Sequence, residues 1–177
     1  MSNLKGVMRI PRVVSIAGSD SSAGAGIQAD IKAITENGGY AMTVVTAVTA
    51  QNTMGVLDVE PVSPTMVLSQ LKAVLKDIGA DAIKTGMLVN EDTISQLVTL
   101  LVDYGDVPLI VDPVLRSTSG HDLLSTDAIA FLKKMLLTRA KLVTPNVPEA
   151  SLLTGMAIND HRDMCRAAEA LLNDGVS

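Results

Sequence analysis

Short apolar segments rich in β-branched residues alternate with helix-like segments, and this alternation limits the possible folds more than any other feature. The strand-like segments cover residues 12–18, 41–49, 55–62, 81–86, 108–114 and 140–146. Near-continuous apolar strands separated by amphipathic helices bury both faces of a sheet. The sequence therefore predicts an α/β fold with a mostly parallel central sheet and helices on both faces.

Helix start and stop signals agree with this prediction. The helical patterns cover residues 25–37, 63–79, 90–105 with a start at Asn90 or Glu91, 125–136, a short segment from Pro148, and 160–175. Ser63, Ser125 and Asp160 stand where N-cap residues are expected. No internal repeat or linker interrupts the pattern, so residues 1–177 are interpreted as a single domain.

Composition excludes several classes of function. The net charge of −5 is spread without a basic block, and aromatic residues make up only 2% of the chain. Nucleic acid is therefore not an expected partner. No apolar run reaches the length of a membrane span, so we expect no membrane partner. The single cysteine excludes an internal disulfide and suits a reducing cytosol.

The loop AGSDSSAGAGIQAD, residues 17–30, has three possible interpretations. Gly24, Gly26 and Ala29 fit the dinucleotide pattern G-x-G-x-x-A, but the acidic residue expected about twenty positions later is missing. A plain surface turn before a helix explains the serines and glycines, but it explains Asp30 less well because Asp30 lies beyond the first helical turn. The third interpretation is a binding loop for a small polar ring, where small residues allow a ligand close to the backbone.

Polar residues also collect at the carboxyl ends of the other predicted strands, where parallel sheets bind ligands. Gln51 carries a planar amide that matches an amino-pyrimidine edge, or that bonds its own loop. Asp112 suits Mg²⁺ or a turn cap. Asn146 and Glu149 suit Mg²⁺ and ATP phosphates, or a helix capping box. Lys84 is either a phosphate contact or a surface lysine.

Taken together, these motifs are more specific than any one of them. In this order, AGSDSSAGAGIQAD, TAVTAQNT, DAIKTGML, VDPV with SGHDLL, and TPNVPEA resemble the hydroxymethylpyrimidine/phosphomethylpyrimidine kinases of the ribokinase-like superfamily. The resemblance covers residues 12–177. It implies two ATP-dependent phosphorylations, of the pyrimidine alcohol and then of its monophosphate, in thiamine biosynthesis. It also implies Mg²⁺, a cytosolic setting and a homodimer.

The resemblance also implies roles for individual residues. Asp30 is implied as the catalytic carboxylate near the hydroxymethyl group, and Asp112 and Glu149 as the residues near Mg²⁺. Lys84, Asn146 and Glu149 are implied on the ATP side. The residues implied around the pyrimidine are Gly18, Ala25, Asp30, Gln51, Met87 and Val114.

The family continues past the length of this sequence, which lacks its C-terminal third. That part carries a Gly-Thr-Gly-Cys turn whose amides form the anion hole, the expected catalytic base and most of the adenine pocket. Since phosphoryl transfer depends on such electrostatic stabilisation, we expect residues 1–177 alone to be inactive. Two alternatives stay open: a pyridoxal or pyridoxine kinase of the same superfamily, and a non-catalytic pyrimidine-binding fragment.

Overall fold

A sheet of six strands forms the centre of the computed structural model, which describes residues 9–115 and 124–176. The strand order is β3-β2-β1-β4-β5-β6, and all neighbours are parallel except the β2–β3 hairpin. The strands are β1 (Arg12–Asp20), β2 (Tyr40–Asn52), β3 (Gly55–Pro61), β4 (Ala82–Thr85), β5 (Leu109–Val111) and β6 (Leu142–Val143). The predicted mostly parallel α/β sheet is therefore confirmed.

Helices connect these strands and begin at the polar caps that the sequence indicates. The oxygens of Ser63, Ser125 and Asp160 accept hydrogen bonds from the backbone of the following turn, and Asn90 rather than Glu91 caps its helix. The helices are α1 (Gly26–Glu36), α2 (Pro64–Asp77), α3 (Glu91–Leu101), α4 (Thr126–Met135), α5 (Val147–Thr154) and α6 (His161–Asn173). No helix among the described residues is both long and apolar enough to cross a membrane.

The connections place helices on both faces of the sheet. The connection from β1 through α1 leads to β2 on one side, and the connections from β4 through α3 and α4 lead to β5 and β6 on the other. The usual right-handed crossover then places α1 on the opposite face from α3 and α4. Val14 and Ile16 of β1 belong to the main hydrophobic core, which includes residues of α2, α3 and α4. The alternate residue Ser15 points to the α1 face, as does its register partner Lys84. A polar contact between β1, β4 and α1 is thereby possible.

The strands differ from prediction where they approach the functional residues. β5 and β6 end before Asp112 and Thr144, because the following prolines Pro113 and Pro145 have no N–H for a ladder. β2 extends to Asn52, because its last residues pair with β3. Most of the SGHDLL motif, including His121, lies outside the described residues. The carboxyl ends of the parallel strands all lie at the same edge of the sheet. At this edge the chain leaves β1 toward β2 and leaves β4 toward β5, which lies on the opposite side.

Candidate active site

A cavity of about 280 Å³ lies at this edge, at the reversal between β1 and β4. Such a reversal is where open parallel sheets bind ligands. The predicted site residues that line it are Gly18, Ala25, Gln51, Lys84, Met87, Asp112, Val114, Asn146 and Glu149. The structure therefore brings these residues together, although they are dispersed over more than 130 positions. Asp30 does not line the cavity.

Asp20 organises the loop that follows β1, and the sequence analysis did not single it out. Its buried carboxylate accepts hydrogen bonds from the backbone N–H groups of Ser22 (2.8 Å), Gly24 (3.0 Å) and Ala25 (2.8 Å), and from the Ser22 hydroxyl. Burial alone would raise the pKa of this carboxyl group, but the hydrogen bonds outweigh it and lower the pKa. These amides are already bonded to Asp20, so the loop is not a phosphate cradle.

Two glycines allow the loop to lie against the end of β1. Gly26 has φ of +58°, and a Cβ at this position would lie 2.4 Å from the carbonyl oxygen of Gly18. A Cβ on Gly18 would lie 2.5 Å from the Cε atom of Met87. Met87 is held from the other side, because the Thr46 hydroxyl donates to its carbonyl oxygen at 2.6 Å. The floor of the cavity is therefore tightest at Gly26, where the close contact is with backbone, whereas the contact at Gly18 is with the end of the Met87 side chain.

Gln51 presents part of its amide to this cavity. Its backbone N–H donates to the Ser21 hydroxyl, and its side-chain oxygen accepts from the Thr49 hydroxyl at 3.2 Å. The side-chain NH₂ donates to no residue among those described. An amide with open donors beside apolar walls suits a flat ring that carries a nitrogen acceptor.

Asp30 forms its contacts with Lys84 and Ser15 and is not among the residues that line the cavity. Lys84 Nζ lies 3.0 Å and 3.2 Å from its two carboxylate oxygens, and the Ser15 hydroxyl donates to one of them. α1 supplies Asp30, while β1 and β4 supply the other two residues. In this structure the Asp30 carboxylate contacts Lys84, which lines the cavity, and its predicted approach to a substrate hydroxyl stays a prediction.

Asn146 and Glu149 form the capping box that the sequence offered as one of two interpretations. The Asn146 side chain accepts from the Glu149 N–H, and the Glu149 carboxylate accepts from the Asn146 N–H, both at 2.9 Å. Both residues also line the cavity, so the two interpretations are compatible. Burial raises the pKa of Glu149, and the nearby charge of Asp112 raises it further.

This pair of carboxylates fits a hard cation. Mg²⁺ is commonly held by one or two carboxylates together with phosphate oxygens and water. Burial is the main cause of the raised pKa of Glu149, the charge of Asp112 adds to it, and a bound cation would offset both. Among the described residues, no cluster of three or more His, Cys, Asp or Glu side chains forms a metal site of its own. The donor set therefore suits a cation that arrives with phosphate.

Val56 and Val59 of β3 complete the wall, and the sequence analysis did not identify them. Each lies opposite an inward-facing residue of β2, since Val56 pairs with Gln51 and Val59 with Thr49. No regular signal in the sequence marked them, because Val56 and Val59 are three positions apart and an irregularity in the β2–β3 pairing turns both toward the cavity. A second, mostly apolar cavity of about 340 Å³ lies between β6, α5 and α6 and shares Asn146 with this site.

Solved structures of kinases share this fold. The phosphomethylpyrimidine kinase of Clostridium difficile 630 has 42% identity and a TM-score of 0.87, covering 93% of this chain and 74% of that one. The pyridoxal kinase of Staphylococcus aureus, solved with AMP-PCP and pyridoxal, has 36% identity and a TM-score of 0.83, covering 95% and 60%. The fold is therefore that of the ribokinase-like small-molecule kinases.

Comparison with sequence relatives shows which family of small-molecule kinases the chain resembles. The hydroxymethylpyrimidine/phosphomethylpyrimidine kinase of Bacillus subtilis is 46% identical over 168 residues, and that of Rhizobium meliloti is 48% identical over 163 residues. The family model described as phosphomethylpyrimidine kinase matches residues 20–177. The chain therefore belongs to the phosphomethylpyrimidine kinase family. It covers 62% of the B. subtilis relative and 61% of the R. meliloti relative.

Proposed function

We propose that the protein containing this chain transfers the γ-phosphoryl group of ATP to 4-amino-5-hydroxymethyl-2-methylpyrimidine and then to its monophosphate, in thiamine biosynthesis. The observation that carries the proposal is one cavity with an amide edge at Gln51 and an acidic group at Asp112 and Glu149. A ring and a phosphate chain need these two chemistries side by side. The names of the relatives supply the particular ring.

The pyrimidine half of the site binds and orients the ring. Gly18 and Ala25 allow it to lie against backbone, while Met87 and Val114 form apolar walls. The side-chain NH₂ of Gln51 donates to a ring nitrogen, and its oxygen accepts from the exocyclic amine. Ring burial between these walls excludes water from the hydroxymethyl group.

The phosphate half lies at the ends of β5 and β6. Asn146, Glu149 and Asp112 provide the oxygens that hold ATP phosphates through Mg²⁺, which offsets the charge on the phosphate oxygens when it is bound. The capping box fixes the Asn146 and Glu149 side chains on the first turn of α5, so their positions need no rearrangement. Positioning of this kind is the main contribution a protein makes to phosphoryl transfer.

Pyridoxal is the rival substrate, because pyridoxal kinases share the fold. A pyridine ring has no amine next to its ring nitrogen, so it leaves one half of the Gln51 amide unpaired. Competition between the two substrates in an ATP-coupled assay decides between them. A clear preference for pyridoxal rejects the proposal that the pyrimidine is the substrate. Pyrimidine binding without any ATP-dependent turnover favours a non-catalytic binding module instead.

Gln51→Ala is expected to weaken binding of the hydroxymethylpyrimidine by about 1–3 kcal/mol, the cost of leaving its polar edge unpaired. Calorimetry on the protein containing this chain measures the change. Gln96→Ala is the matched control, since Gln96 lies on α3 and does not line the cavity. Unchanged affinity in Gln51→Ala removes Gln51 from the site.

Asp30→Asn is expected to reduce turnover by more than it reduces stability. We propose that Asp30 is a positioning residue that acts through Lys84, because both of its oxygens contact the ammonium group. The asparagine keeps one acceptor but removes the charge that holds Lys84. Turnover and melting temperature are measured together, and retained turnover with a melting point lower by several degrees shows a purely structural role.

We further propose a homodimer in the cytosol. The β2–β3 hairpin carries the exposed apolar side chains of Val48, Met54 and Leu57, which is typical of a protein contact. The single cysteine, Cys165, supports a reducing compartment. Light scattering coupled to gel filtration tests the dimer, and a monomer at micromolar concentration rejects it.

A further inference from the structure

The Lys84 ammonium group has a hydrogen-bond donor to spare. An ammonium carries three N–H donors. Its contacts with the Asp30 oxygens, at 3.0 Å and 3.2 Å, account for two of them. Within the described part of the chain, the remaining donor has no acceptor at hydrogen-bond distance; its nearest anionic neighbour is Asp112, whose Oδ2 lies 3.6 Å from Nζ. Since Lys84 lines the cavity, a ligand oxygen can take that place.

The position of Lys84 in the sheet places it beside both halves of the site, because β4 pairs with β1 on one side and with β5, which leads to Asp112, on the other. β4 is the direct neighbour of β1, which carries Gly18, and Lys84 is in register with Ser15. Asn146 and Glu149 follow β6, two strands further along the sheet, which corresponds to about 10 Å at the usual strand spacing. Lys84 therefore lies between the ring half at Gly18 and the phosphate half at Asp112, where a phosphate group attached to the ring would be placed.

The charges around the cavity give Lys84 a specific task. Among the described residues that line it, Lys84 is the one cationic side chain, and Asp20, Asp112 and Glu149 are acids. A phosphate monoester carries about −1.5 to −2 charges near neutral pH. The pyrimidine alcohol is neutral, so only the phosphorylated substrate brings this charge into the acidic surroundings.

From this geometry we propose that Lys84 binds the phosphate group carried by the phosphorylated pyrimidine and thereby determines acceptance of the second substrate. The inference rests on the proposed function and deepens it. Asp30 holds the ammonium group through both oxygens, which leaves the third donor directed to the phosphate. A bound phosphate oxygen replaces the weak contact with Asp112, while the alcohol binds mainly through Gln51 and the apolar walls.

The test compares Lys84→Met with the wild type in the protein containing this chain. Calorimetry measures binding of hydroxymethylpyrimidine, hydroxymethylpyrimidine phosphate and Mg-AMP-PCP separately. Loss of one charged hydrogen bond predicts an affinity for the phosphate about 10- to 100-fold lower. Affinities for the alcohol and for Mg-AMP-PCP change less than about threefold, since neither depends on the lost hydrogen bond. Lys72→Met, on the exposed face of α2, is the matched control and alters none of them.

Two further variants separate charge from structure. Lys84→Arg keeps the charge and retains most of the affinity for the phosphate. Lys84→Gln removes the charge but keeps a donor, and it shows the same selective loss if Lys84→Met folds poorly. Weaker binding of Mg-AMP-PCP alone assigns Lys84 to ATP and overturns the inference, as does equal weakening of both pyrimidines. A wild type that binds neither pyrimidine rejects the proposed function, and this inference with it.

Discussion

Gly26→Ala is expected to destabilise the protein by about 2–5 kcal/mol, the sum of a strained left-handed backbone and an overpacked contact. The φ of +58° disfavours any side chain, and the new Cβ would lie 2.4 Å from the Gly18 carbonyl oxygen. Neither backbone segment can move freely, because Asp20 holds the loop and the residues before and after Gly18 are paired with β2. Urea unfolding measures the loss of stability, and calorimetry measures the accompanying loss of pyrimidine affinity.

Gly38→Ala is the matched control for this prediction. Gly38 also has a positive φ, of +78°, but nothing lies within 4 Å of its would-be Cβ. It therefore reports the backbone strain alone, about 1–2 kcal/mol. Equal destabilisation in the two variants would show that the close approach of the loop to Gly18 contributes nothing, and the description of the cavity floor would then be wrong.

Glu149→Gln is expected to lower turnover by roughly 10²-fold or more without lowering stability, because the lost charge serves the phosphate half of the site. Glutamine still accepts at the N3 position of a capping box, so α5 keeps its start. Steady-state kinetics and thermal unfolding of the same preparations separate the two effects. Glu169→Gln, an exposed change on α6, is the control and affects neither.

The pH dependence of stability gives an independent check on Glu149. Its folded-state pKa is raised, first by burial and also by Asp112, so the folded state binds this proton more tightly than the unfolded state. The contribution of Glu149 to stability is therefore most favourable below its ordinary pKa and is lost as the pH rises through the raised value. In Glu149→Gln this decline is absent. If Glu149→Gln were less stable than the wild type at neutral pH, the conclusion that burial of the charged Glu149 carboxylate costs stability would be wrong.

Much of the fold follows from local signals that the sequence displays openly. The alternation of apolar strand-like segments with amphipathic helical segments predicted the parallel sheet. The cap residues Ser63, Ser125 and Asp160 predicted three helix starts. Nine of the ten predicted site residues also line one cavity, because strand ends in a parallel sheet share an edge. The common location of these residues follows from the topology, while their roles stay predictions.

Side-chain direction could not be predicted in the same way. Asp30 was expected to face the substrate, but its partners Ser15 and Lys84 come from two other elements, and only the sheet register places them beneath α1. Asp20 was overlooked although an acid followed by serine and glycine is a common turn pattern. Val56 and Val59 were missed because their inward direction depends on pairing across the hairpin with Thr49 and Gln51.

The division of the cavity between separate strand ends has a consequence for evolution. Val56 and Val59 contact the ring half from an edge hairpin, whereas the capping box of Asn146 and Glu149 belongs to a different part of the chain. Mutations in the hairpin can reshape one wall of the cavity while Asn146 and Glu149 keep their places. Under the proposed function, such a layout allows one heterocycle to replace another by small steps in the hairpin.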